Sequence, residues 1–276
     1  MVTALFDLLG IDPARFLKTS FEVSLISLFL LCFAHSAWVH GWKRTLREFS
    51  AGFMLTAVVE NIGVLCGAYI YPGFNYYVYA TPLLNPLSWV AIVYIVIEFT
   101  NRLVYGPRSL GTYQVDGFSE EPKDFTLFQG SFIKTIILLA AIDASLCVMI
   151  DLIEDPLATI YNWWIWVPYQ EGVNTITAGM VDPYNFDNHL WMVTPDNPVS
   201  RFFCGFFPDG LRYPTRIMGI PLTNFIDWFI LVFSFSLSFR WVETKRSWSE
   251  WKKTWVLWIL MLIIIIVMPF TILLNI

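Results

Sequence analysis

The chain has 276 residues, of which 57% are hydrophobic and only 14% charged, and its mean hydropathy is +0.59. A soluble domain carries about 25% charged residues, so this chain is poorly equipped to cover itself with water-compatible surface. The composition excludes a disordered chain, which combines low hydrophobicity with high net charge. The 17 Lys and Arg against 22 Asp and Glu leave a net charge of −5 without a basic stripe, which excludes nucleic acid as a partner. The fold expected is all-α: a single integral membrane domain over 1–276, with the cell membrane as its location and lipid as its surroundings.

The chain opens on a short amphipathic lead-in, with Leu5, Leu8, Leu9 and Phe16 set against Asp7, Asp12 and Arg15. It lacks the charged n-region, short apolar core and cleavage site of a secretory signal. Six stretches then reach the 20 or so apolar residues needed to cross a bilayer core of roughly 30 Å. They run from about Phe21 to His40, Ala51 to Tyr71, Leu84 to Leu103, Phe132 to Ile153, Ile220 to Val242 and Thr254 to Asn275. Pro156 is expected to end the fourth. Pro269, near the end of the sixth, is tolerable in a membrane helix.

Lys and Arg set the orientation. Lys43, Arg44, Arg47, Arg102, Arg108, Lys123, Arg240, Lys245, Arg246, Lys252 and Lys253 fall in or beside the first, third and fifth connections. The other side has Arg15, Lys18, Arg201, Arg212 and Arg216. This bias predicts a multi-pass chain with both termini and the long fourth connection extracytoplasmic.

That connection, 154–219, is too long for a simple linker and is rich in aromatics, among them Trp163, Trp164, Trp166, Tyr169, Trp191, Phe202 and Phe206. Aromatic rings favour the membrane interface, where one end is wet and the other apolar. The stretch reads as a lid on the outer surface, with turns at Asp182-Pro183-Tyr184 and Pro208-Asp209-Gly210. The 169–213 part is also where protein partners would dock. Cys32, Cys66 and Cys147 fall in spans and Cys204 in the long loop, so no external pair is available for an intramolecular disulfide. No CxxC marks a metal or redox site, and no internal repeat is evident.

Charges inside a bilayer are costly and mark function or pairing. The spans hold Glu60, Glu98, Asp143, Asp151 and Asp227, with His35 and Asn224 as polar companions. No Lys or Arg is expected deep in a span, so these acids are expected to be protonated, hydrogen-bonded or water-accessible. Asp151 and Asp155 are four apart and share a helix face. Asn224 and Asp227, three apart, share another. Glu60 lies near Gly63 and Gly67, small residues that permit close helix approach. The structural alternative is that these groups only bond neighbouring helices and fix the bundle. His35, His40 and His189 are too few and too badly spaced for a metal centre, so no metal is expected. GxGxxG, Walker A and GxSxG patterns are absent, so no nucleotide or flavin cofactor is expected either. Gly106 to Ser109 reads as a turn.

Two groups of motifs resemble the carotenoid biosynthesis family of membrane proteins, which includes bisanhydrobacterioruberin hydratase and the carotenoid 1,2-hydratases. The first joins Glu60, Gly63, Gly67, Tyr69 and Tyr71 to Pro82-Leu83, Pro86-Leu87 and Trp89. The second joins Asp151, Asp155 and Pro156 to Trp164 and Trp166, then to Gly219, Pro221, Leu222, Asn224, Phe225 and Trp228. The likeness covers spans two to five in the same order. Asp227 stands where the family has Gly, and residues from about 169 to 213 exceed the family's shorter linker.

The resemblance implies addition of water across the terminal C=C of an acyclic polyene. A carboxylic acid protonates the alkene, leaving a tertiary carbocation, and a carboxylate or amide positions water for attack. It implies Asp151 as general acid and Asp155 as the water-orienting group, with the two roles open to exchange because close carboxyls titrate as a unit. Glu60 and Asn224 complete the catalytic set. Trp164, Trp166 and Trp228 offer aromatic faces to the cation, and Tyr69, Asp227 and Asp143 join them in binding substrate. No cofactor is required, and the apolar substrate enters from lipid. Two other classes fit the residues: a non-catalytic membrane subunit that binds carotenoid, lipid or a protein partner, and a proton- or ion-coupled transporter.

Overall fold

A computed structural model describes residues 10, 12–66, 68–71, 73–105, 132–161, 163–166, 198–203, 213–268 and 271. Helices dominate: α1 (Pro13–His40), α2 (Trp42–Leu65), α3 (Leu84–Tyr105), α4 (Phe132–Ile160), the short α5 (Pro198–Phe203), α6 (Leu222–Glu243) and α7 (Glu250–Val267). Three antiparallel pairs of two-residue strands sit between them. β1 (Tyr69–Ile70) pairs with β4 (Ile165–Trp166), β2 (Tyr77–Val78) with β3 (Thr81–Pro82), and β5 (Arg216–Ile217) with β6 (Ile220–Pro221).

Local chemistry sets the helix ends. α1 begins at Pro13, earlier than the apolar run at Phe21 suggests, because the Asp12 side chain accepts from the Ala14 N–H at 3.0 Å and proline suits the first turn. A single residue, Gly41, joins α1 to α2 with φ 80° and ψ 155°, a backbone region open almost only to glycine. Ser249 caps α7 through the Lys252 N–H. Pro156 lies inside α4 and does not end it. Its missing N–H removes one ladder bond, to the Leu152 carbonyl, and burial of Ala158 and Thr159 in the following turn outweighs that loss.

α4 lies along α6, α1 along α3, and α2 contacts α3 and α7. Leu55, Val90, Ala91, Phe235, Phe239, Leu257 and Met261 fill the centre. Gly52 lets three helices close together, since a Cβ there would stand 3.0 Å from Val90 Cγ2 of α3 and 3.5 Å from the Phe235 ring of α6. The turn before α3 is tied down twice. Glu22 of α1, fully buried, accepts the N–H groups of Asn75 and Tyr76. Asn61 of α2 bonds the Ala80 N–H and the Val78 carbonyl.

Five helical stretches are long and apolar enough to cross a membrane: Pro13–His40, Trp42–Leu65, Leu84–Val104, Ile133–Ile160 and Leu222–Glu243. They carry exposed apolar side chains such as Leu31, Trp38, Phe99 and Ile153. α7 has Glu250, Lys252 and Lys253 in its first turn, and the sequence beyond Met268, Thr271 apart, lies outside the described residues. That leaves the described part of the sixth stretch short of an uninterrupted apolar span.

The arginines differ from the sequence expectation. Arg44, Arg47 and Arg240 are counted as loop charges in the sequence, yet all three lie in helices and are buried. Their long side chains neutralise carboxylates that packing has removed from water. Arg240 of α6 pairs with Asp143 of α4 at 2.8 Å and donates to Asn101 of α3 at 2.7 Å. Arg47 of α2 pairs with Glu243 of α6 and, at 2.8 Å, with Glu250 of α7. His40 bonds Glu98 at 2.8 Å, and Arg44 bonds His40 at 2.9 Å.

Breaking one of these buried pairs should be severe. Arg240→Ala is expected to cost about 3–5 kcal/mol, with part recovered by adding Asp143→Asn. Gly41→Ala should cost about 1–3 kcal/mol through backbone strain alone. Thermal unfolding of each variant in detergent checks both.

Candidate functional site

The C-terminal ends of α2 and α4 meet the N-terminal ends of α3 and α6 at one end of the bundle, around a two-lobed cavity. The polar lobe, about 60 Å³, is bounded by Glu60, Asp151, Asp155 and Asn224 together with Trp164, Trp166 and Trp228. The second lobe, about 40 Å³, shares Glu60, Tyr69, Trp166, Asn224 and Trp228 and adds Asp227. A single water needs about 10–15 Å³, so each lobe has room for water or the end of a larger molecule, and neither could enclose a long one.

Helical spacing delivers the carboxyls. Asp151 and Asp155 project from one face of α4 and are buried at 3% and 5% exposure. Asn224, in the first turn of α6, bridges them: its Nδ2 donates to Asp151 Oδ2 at 2.9 Å and to Asp155 Oδ2 at 2.5 Å. An amide NH₂ has two hydrogens, one for each carboxyl. Asn224 reaches this point because the β5–β6 hairpin turns at Met218 and Gly219, both at positive φ, and leads through Pro221 into α6. Glu60, near the end of α2, accepts from the Tyr71 hydroxyl at 2.6 Å and from the Asn85 side chain.

The aromatic wall is built by the β1–β4 pair. Register sets Tyr69 opposite Trp166, with ring centroids 5.1 Å apart. Side chains alternate along an extended strand, so Trp164 and Trp166 both line the cavity. Trp163 turns away and stacks on Phe21 at 4.0 Å. The Trp164 side chain hydrogen-bonds Asp155. Gly63 is needed here for a reason other than helix approach: a Cβ would overlap the hydroxyl and ring of Tyr69. Gly67 lies outside the described residues.

Of the residues expected to act together, Glu60, Asp151, Asp155, Asn224, Tyr69, Trp164, Trp166, Trp228 and Asp227 all line this cavity. Asp143 does not. It is fully buried against Arg240 and Ser236, its Oδ2 accepting from Ser236 Oγ at 2.5 Å. Two turns of α4 separate it from Asp151, and its position makes it a bundle-fixing carboxylate, not a substrate ligand. His35 bonds the Tyr94 hydroxyl at 2.6 Å and His40 bonds Glu98, both away from the cavity.

Sequence reasoning left Tyr71, Asn85, Ser88, Trp89, Glu154 and Tyr213 out of the site, and all of them line it. Asn85, Ser88 and Trp89 stand at i, i+3 and i+4 on α3, a spacing that marks one helix face. The 169–213 lid and partner region lies outside the described residues except at its 198–203 and Tyr213 portions. The turns at 182–184 and 208–210, Gly106 to Ser109, Cys204 and His189 also lie outside.

Among the described lining residues there is no Lys, Arg or His. Among the described residues no group of three or more His, Cys, Asp or Glu is arranged to hold a metal ion. The arrangement offers several carboxyls at short range, held by amide, phenol and indole donors, beside aromatic faces. Such a site can give a proton, take one, and stabilise positive charge. The chain matches no family model, no curated protein and no solved structure.

Gly63→Ala forces Tyr69 off the β1 register and is expected to destabilise by about 1–3 kcal/mol, as overpacking does. The change should appear in thermal unfolding and as an altered near-UV circular dichroism from the Tyr69–Trp166 pair.

Proposed function

We propose that the chain is a multi-pass protein of the cell membrane, related to the carotenoid hydratases, that adds water to the terminal C=C of an acyclic polyene by carboxyl acid–base catalysis. The observation that carries this reading is the meeting of Glu60, Asp151, Asp155 and Asn224 in one cavity walled by Trp164, Trp166 and Trp228. Supporting the membrane setting are the five helices long and apolar enough to cross one. The concentration of Arg44, Arg47, Arg102 and Arg240 toward the opposite end of the bundle favours a cytoplasmic location for that end. Both termini, the cavity and the long connection are then extracytoplasmic.

In this mechanism one carboxyl of the α4 pair carries a proton and delivers it to the alkene carbon. The π electrons form the new C–H bond and leave a tertiary cation, which the Trp faces stabilise. The other carboxylate accepts a proton from water as the water oxygen bonds to the cation. The sum is addition of one water, with one carboxyl losing a proton and its neighbour gaining one. We assign Asp151 as acid and Asp155 as base, as a pair that exchanges roles between turnovers. Asn224 is a positioning residue that fixes the two carboxyls relative to each other. Glu60, held by Tyr71 and Asn85, faces the same space from α2. The apolar remainder of the polyene stays in lipid, which accords with a cavity sized for an end group.

Co-expression with a lycopene-producing host tests the reading. A product heavier by one water, resolved by chromatography and mass spectrometry, is expected from the natural chain. Asp151→Asn should lower product by at least about 100-fold, the scale of a lost general acid, while the protein still accumulates in membranes. Full product from that variant removes Asp151 from the mechanism. Unchanged pigment that co-purifies with the natural chain replaces the hydratase reading with a binding role.

A further inference from the structure

The second lobe contains a set of polar atoms that the proposed proton transfers do not use. Among the described residues the indole N–H of Trp89 and the indole N–H of Trp166 have no hydrogen-bond partner, although the two residues are only 3% and 5% exposed. Asp227 Oδ1 is likewise buried without a partner among the described residues, and the Thr271 hydroxyl lies close to the same carboxyl. All three residues line this lobe, and Trp89 and Trp166 stand between it and the polar lobe, which they also line. Each unmet group carries the desolvation cost of burial without the return of a bond, and a cluster of them beside an open space is suited to water or a polar ligand.

Their chemistry restricts that ligand. An indole N–H only donates, so the two tryptophans require an acceptor. The Asp227 oxygen is an acceptor and requires a donor. A hydrocarbon satisfies none of them, and an ammonium group leaves both indoles unmet. A hydroxyl satisfies both kinds, since it has lone pairs for N–H groups and one proton for a carboxyl oxygen. Val59, Leu231 and Met268 give the lobe apolar wall, and Glu60, Tyr69, Tyr213, Thr223, Asn224 and Trp228 complete it.

We propose that this lobe is a hydroxyl-binding site for the alcohol end of an apolar molecule. Trp89 and Trp166 hold the oxygen and Asp227 takes its hydrogen bond. The inference deepens the hydratase reading, because hydration turns an alkene end into a tertiary alcohol and water is its smallest surrogate. It does not require turnover. It also gives a chemical role to Asp227, the residue at which the chain departs from the pattern it resembles.

The probes are linalool, a tertiary alcohol, and myrcene, the hydrocarbon from which it differs by one water. The full-length chain in detergent micelles is titrated with each by calorimetry, and titrations of empty micelles are subtracted. The natural chain should bind linalool about tenfold or more tightly than myrcene, the kind of discrimination expected when a site has buried polar groups to satisfy. In the Trp89→Phe, Trp166→Phe double variant, which keeps an aromatic ring at each position but lacks the N–H donors, the preference should vanish. Asp227→Leu should also reduce the preference. Equal binding of the two probes by the natural chain overturns the proposal without any reliance on variants. A preference that survives loss of both indoles overturns it too. A linalool preference without any hydrated carotenoid in the co-expression experiment sustains this inference and rejects the hydratase reading. Hydrated carotenoid without a linalool preference does the reverse.

Discussion

A carboxyl group withdrawn from water must find a partner, and this bundle answers that constraint in opposite ways at its two ends. Deep in α4, Asp143 meets Arg240 of α6, and the pair is completed by Ser236 of the same helix and Asn101 of α3. Arg47 does the same for Glu243 and Glu250. At the other end Asp151, Asp155 and Glu60 are held by an amide, a phenol and an indole, without a cation among the described lining residues. A guanidinium gives a carboxylate a fixed counter-ion. Neutral donors fix its position without supplying one. The same residue type, on one helix two turns apart, is architecture in the first case and available chemistry in the second.

What could be read from the sequence follows the range of each interaction. Asp151 with Asp155, and Asn224 with Asp227, were legible because helical spacing places them on common faces without knowledge of the fold. The helices themselves were legible as long apolar runs. The pairing of Asp143 with Arg240 is not legible in the sequence, because the two lie 97 positions apart and the charge of Arg240 suggests a loop. The β1–β4 pairing was illegible for another reason. Strands of two residues leave no periodic pattern, and their register depends on α2 and α4 having already brought Tyr69 and Trp166 together. Tyr71 and Asn85 are not legible as partners of Glu60, because they reach it from a loop and from the start of the next helix. Neither position declares its direction in the sequence.

The site is therefore less a property of any one helix than of a junction. α2 supplies one carboxyl, α4 the pair, and α6 the amide that bridges the pair. The segment after α2 and the segment after α4 close the space by pairing with each other. Gly63 shows how tightly this is drawn, since Tyr69 occupies the volume in which any other residue would place its Cβ.

α1 contributes no lining residue to the cavity, yet it connects the two ends of the bundle. It is pinned at Gly41, where one residue joins it to α2, and at Glu22, whose carboxylate holds the backbone of Asn75 and Tyr76. At 1.5 Å per residue the stretch between these points is about 28 Å long, close to the roughly 30 Å of a bilayer core. The two points that pin α1 are therefore spaced like the two faces of such a core, and the helix ties the turn before α3 to the far end of the bundle.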